Sequence, residues 1–229
     1  MALYAIGDLH LSLGSDKPMD VFGGAWVGYV DKLREGLSVI GPEDTTVLLG
    51  DLSWALDLNG AREDFAMIAA IPGRKIIVKG NHDYWWTTAA KFYRFCEENG
   101  FPDLYLLNNN CYFYNGIALT GTRGWFFEED APDGSHNDKI FKRELLRLEA
   151  SLRAAGYTPY YLYRQKYMSG SFENIGWCRS GGECWYNVDI MSELCSILSF
   201  GAAGSTKMVV PGTNQIQRMV IGKSVIGKF

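Results

Sequence analysis

Three short apolar runs, each stopped by glycine followed by a carboxylate or carboxamide, constrain this chain more than any other feature. Tyr4-Ala5-Ile6 runs into Gly7-Asp8-Leu9-His10, Thr46-Val47-Leu48-Leu49 into Gly50-Asp51, and Lys75-Ile76-Ile77-Val78 into Gly80-Asn81-His82-Asp83. A run of this length with no polar alternation reads as a strand buried on both faces. Helical patterns lie between the runs: Trp26 to Ile40, with Val27, Val30, Leu33 and Leu37 at helical spacing, and Asn59 to Ala70. A third, Thr87 to Asn99, has Gly100 as its stop. Strands alternating with helices predict βαβ units and a parallel inner sheet.

Three further apolar segments, Leu104–Leu107, Cys111–Tyr114 and Ile117–Thr120, follow one another too closely for helical crossovers and predict an antiparallel extension. Asn115-Gly116 supplies its tight turn. Asp138 to Ala155 predicts an amphipathic helix, and His136 is expected in the loop before it. The fold class is α/β.

The carboxyl ends of parallel strands share one edge, and ligands of open α/β sheets sit along it. All three polar stops therefore predict one rim that gathers Asp8, His10, Asp51, Asn81, His82 and Asp83. Oxygen donors mixed with imidazole suit Mn, Fe or Zn. Asp8 and His10 are spaced to share an ion, Asp51 stands on the next strand end where it can bridge two, and Asn81 offers an amide oxygen to the second. An ion pair of this kind polarises a phosphoryl group and activates water.

The D-x-H, G-D and G-N-H-D order resembles the N-terminal signature of the calcineurin-like metallophosphoesterase superfamily, over about residues 1–125. The resemblance implies mixed β-sheets flanked by helices and two divalent metal ions. It assigns Asp8, His10, Asp51 and Asn81 to the metals. His82 is implied to contact the phosphate and protonate the leaving group, with Asp83 supporting it. The implied activity is metal-dependent hydrolysis of a phosphomonoester or phosphodiester substrate. Gly121-Thr122-Arg123-Gly124-Trp125 also resembles a stretch of bacterial members, and Arg123 is a candidate either for phosphate or for an ion pair with the acidic residues after it.

The family completes its metal centre with a downstream His and a G-H-x-H pair, whereas this chain has 3 His, none beyond His136. The chain also changes character at Gly156: residues 1–155 carry a net charge of −7 and residues 156–229 carry +3. The expected division is a metallophosphoesterase-like domain at 1–155 and an atypical segment at 156–229, arising by frameshift, truncation or fusion. The alternative function is a catalytically defective relative that binds without turnover.

Other classes find little support. The overall charge of −4 argues against a nucleic-acid partner. No apolar run is long enough for a membrane span, and the first residues lack the pattern of a signal peptide. The 5 Cys show no C-x-x-C pairing and fit a reducing, cytoplasmic setting. Tyr84-Trp85-Trp86 divides between pocket wall and core, and Glu128-Glu129-Asp130 reads as a solvated loop. P-loop, Rossmann and nucleophile-elbow motifs are absent from the sequence.

Overall fold

A computed structural model describes residues 1–15, 17, 19–125, 134–164, 173–185, 187–188, 205–208 and 218–221. The chain divides into two compact units, Met1–Ala155 and Gly156–Phe229.

The first unit is built on a four-stranded sheet in the order β1-β2-β3-β4, formed by Leu3–Ile6, Thr45–Leu48, Arg74–Ile77 and Leu104–Leu106. All three pairings are parallel. Helices α1 (Tyr29–Leu37), α2 (Arg62–Ala69) and α3 (Ala89–Asn99) are the crossovers. β2 is buried at every position and β3 at all but its first residue, as central strands covered on both faces are, whereas β1 at the edge of the sheet has no buried residue.

Side-chain alternation sorts the core onto the two faces of the sheet. Leu48 and Ile77 pack with Phe65 and Ile68 of α2 and Phe92 and Phe95 of α3, while Val47, Ile76 and Val78 pack with Leu107. Burying each of these large side chains contributes roughly 1.5–3 kcal/mol.

Leu104–Leu106 departs from the antiparallel expectation. It pairs in parallel with β3, because α3 lies between the two strands and returns the chain to the same end of the sheet. Only the next two segments form a hairpin, β5 (Tyr112–Tyr114) and β6 (Ile117–Leu119). Its turn places Asn115 and Gly116 at φ 46° and 80°, the left-handed pair that a two-residue hairpin needs. Tyr112 and Leu119 lie against the Val47–Ile76–Val78 face.

Helix α4 runs from His136 to Ala154, so His136 is its first residue and not part of a loop. The Ser135 hydroxyl accepts from the Asp138 amide at 3.2 Å and caps that end. Helix α3 is closed on both sides, by Thr88 at its start and by Gly100 in the left-handed region at its end. In the second unit, β7 (Thr158–Arg164) and β8 (Glu173–Cys178) form an antiparallel ribbon, and β9 (Ser205–Met208) pairs with β10 (Arg218–Ile221). Cys195 and Glu128-Glu129-Asp130 lie outside the described residues. No helix among the described residues is long and apolar enough to cross a membrane.

Lys75 on β3 is only 2% exposed, and its Nζ donates to the carbonyls of Ile71 (2.9 Å) and Ala69 (3.4 Å) at the end of α2. Burial pushes this ammonium below its ordinary pKa, and Asp103 opposes the shift. Between the lowered value and the ordinary 10.5 the unfolded chain binds more protons, so this group's contribution to stability rises with pH. Urea unfolding from about pH 7 to about pH 10 should show the wild type gaining on Lys75→Met. A pH-independent difference would contradict this.

Candidate metal centre

The loops after β1, β2 and β3 meet at the carboxyl edge of the sheet. The backbone joins the first two: the amides of Asp8, His10 and Leu11 donate to the carbonyls of Gly50, Asp51 and Leu52 at 2.9–3.0 Å. A bridge between Leu11 and Ser53 continues the contact. Below it, the fully buried Asp64 of α2 accepts from the Leu13 amide (2.7 Å) and the Ser53 hydroxyl (2.5 Å). Burial pushes the Asp64 carboxyl up, against those two hydrogen bonds.

The second and third loops touch backbone to backbone. A Cβ on Gly80 would fall 2.0 Å from Asp51 Oδ1, and one on Gly50 would fall 2.4 Å from the Gly80 nitrogen. No side chain fits in either place, which is why both turns need glycine.

Asp83 ties these loops together. Its carboxylate, 1% exposed, accepts from the amides of Asp51 (2.9 Å), Leu52 (2.8 Å) and Gly80 (2.7 Å) and from Trp85 Nε1 (2.8 Å). Burial pushes its pKa above the ordinary carboxylate range, and the four hydrogen bonds pull against that shift. Among the described hydrogen bonds of Asp83, none goes to the imidazole of His82.

This framework gathers three candidate ligands. Donor atoms of Asp8, His10 and Asp51 all lie within 4.8 Å of one another, and His10 Nε2 stands 3.5 Å from Asp8 Oδ1. All three residues have positive φ (56°, 43° and 52°), a region that costs a non-glycine residue of order 1–3 kcal/mol. Strain at these three candidate positions is held by the surrounding hydrogen bonds, including Tyr29 Oη to the His10 carbonyl at 2.8 Å. Two carboxylates and an imidazole at this spacing fit one divalent cation of the Mn, Fe or Zn type.

His82 and Asn81 flank the group. The His82 amide donates to Asp51 Oδ1 at 2.8 Å, and its ring centroid lies 6.0 Å from that of His10. Asn81 is exposed and lines a cavity of about 350 Å³ together with Arg123, Gly124 and Trp125. Arg123 pairs with Glu144 at 3.3 Å and lies over the Trp125 ring at 4.6 Å. Of the aromatic triplet, Tyr84 is exposed beside His82, Trp85 is buried against Phe65 and Phe92, and Trp86 packs against the core.

Trp54 joins the site without having stood out in the sequence. Its ring stacks on His10 at 4.8 Å and 21°, and lies 5.1 Å from His82. Its position three residues after Asp51 is the one signal that hints at this. Nε1 anchors the indole on Met19 Sδ at 3.1 Å.

A 61-residue stretch is 43% identical to the oxygen-independent coproporphyrinogen-III oxidase-like protein HemZ of Bacillus subtilis (strain 168), covering 27% of this chain and only 12% of that protein. Among solved structures, the AQ665 protein of unknown function from Aquifex aeolicus is 26% identical with a TM-score of 0.37, over 62% of this chain and 72% of that one. The phosphopantetheinyl hydrolase PptH from Mycobacterium tuberculosis is 18% identical with a TM-score of 0.31, over 60% and 48%. The family model for calcineurin-like phosphoesterases matches residues 1–182 of 229, a span that holds every candidate ligand described above, and the chain belongs to that family.

Proposed function

We propose that this protein is a divalent-metal-dependent phosphoesterase that hydrolyses a phosphomonoester or phosphodiester. The observation that supports this most is the convergence of Asp8, His10 and Asp51 within 4.8 Å, at one edge of a parallel sheet. In this reading Asp8 and His10 hold the first cation, Asp51 is shared, and Asn81 gives its amide oxygen to a second. When bound, such cations polarise phosphoryl oxygens and make water a better nucleophile.

The chain's own residues do the rest. Trp54 holds the imidazoles of His10 and His82 in fixed orientation through ring contacts. A ring nitrogen of His82 hydrogen-bonds a phosphate oxygen and passes its proton to the departing ester oxygen. Asp83 acts through the backbone, fixing Asp51 and the Gly80 turn. The substrate is a phosphate ester; nucleic acid and membrane are not its partners in this reading.

The histidine count favours a second reading. With 3 His in the chain, the cation would have few imidazole donors and the rim would bind phosphate without turnover. Release of p-nitrophenol from its phosphate mono- and diesters, assayed with Mn, Fe(II) and Zn in turn, separates the two. Metal-dependent release supports the enzyme. Silence with every metal and both esters supports the binding protein.

A further inference from the structure

Beyond the metal centre, the same sheet edge continues into a cationic cleft. Lys79 lies two residues past β3 and Asn108 two residues past β4, so both stand at the carboxyl edge. They line a narrow cleft with Thr122, Arg123, Glu144 and Arg147. Among the described residues its charges do not balance. Glu144, 2% exposed, is the carboxylate toward which Arg147 (2.8 Å), Arg123 (3.3 Å) and Arg143 (3.6 Å) all turn, and it also accepts from the Thr122 hydroxyl. Among the described residues no carboxylate lies within ion-pair distance of Lys79.

We infer that Lys79, Arg123 and Arg147 form an anion subsite beside the metal centre, and that the substrate carries a second phosphate group that this subsite binds. Guanidinium and ammonium groups lining one cleft are the donor set that phosphate takes, Arg by its planar fork and Lys as a point charge. Arg123 makes the connection. It lines this cleft and also the cavity of about 350 Å³ that Asn81 borders, so the two spaces share the Arg123 side chain. The free space inside the cleft is only about 10 Å³, room for about one water, so the second phosphate rests at its mouth.

This proposal rests on the phosphoesterase reading for its substrate, but its test does not need turnover. Inorganic pyrophosphate is titrated calorimetrically into the whole chain in EDTA, where no divalent ion can take part. The wild type should bind one pyrophosphate saturably. Lys79→Met should bind about tenfold or more weakly, the loss of one charge-assisted contact, and Lys79→Arg should restore binding to within about threefold. Absence of saturable binding to the wild type, or equal binding by Lys79→Met, overturns the subsite. Binding that follows Lys79 in a chain inactive toward every ester supports the subsite and tells against the enzyme alone.

Discussion

Asp83→Ala is expected to lower the stability of the chain by about 3–5 kcal/mol. Four donors lose their acceptor at once: the amides of Asp51, Leu52 and Gly80 and the indole of Trp85. Each buried donor left without a partner costs roughly 1–3 kcal/mol, and relaxation or entering water recovers part of the sum. The effect also reaches the site, since those amides set the loop that carries Asp51 and the turn before His82. Asp83→Asn should fall between the two: it keeps one acceptor oxygen but turns an N–H₂ toward donors. Thermal unfolding followed by circular dichroism, with about 2–4 °C per kcal/mol in this size range, should give a drop near 10 °C for Asp83→Ala. An unchanged midpoint would show that these contacts are not what holds the loops together.

Asp51→Asn is expected to reduce metal-dependent phosphoester hydrolysis by about a thousandfold, equivalent to roughly 4 kcal/mol of transition-state stabilisation. The substitution removes a charge and little else. Asp51 is buried, and its Oδ1 accepts from the His82 amide at 2.8 Å, a role the amide oxygen of Asn can retain. The fold should therefore survive while the shared negative ligand is lost. The readout is kcat/KM on p-nitrophenyl phosphate and its diester with manganese, alongside unfolding of the same preparation. A variant that keeps wild-type rates would remove Asp51 from the mechanism.

The parallel inner sheet was legible because the apolar stretches Val47-Leu48-Leu49 and Ile76-Ile77-Val78 show no polar alternation and are separated by helical patterns. The gathering of Asp8, His10 and Asp51 followed from the rule that parallel strands end on one side. Pairing direction at Leu104–Leu106 was not legible: three residues carry no orientation signal, and the crossover that decides it is α3, upstream. His136 was misread because the cap that starts α4 is made by Ser135 and Asp138, a four-residue pattern that the charged sequence around it obscures. The Trp54 stack and the Arg–Glu144 cleft depend on side chains from separate elements meeting in space. Nothing periodic in the chain marks that meeting. The fourfold acceptor role of Asp83 was hidden for the same reason, since two of its partners lie 31 and 32 residues away.

Asp8, His10 and Asp51 are proposed to grip a divalent cation together. The most direct test is manganese binding to chelator-stripped protein, counted as ions per chain by electron paramagnetic resonance, for the wild type and for His10→Ala. Saturable uptake of at least one ion per chain by the wild type, weakened tenfold or more in a folded His10→Ala variant, is the predicted result. A wild type that takes up no manganese, or a His10→Ala chain that binds it as tightly, would contradict the account.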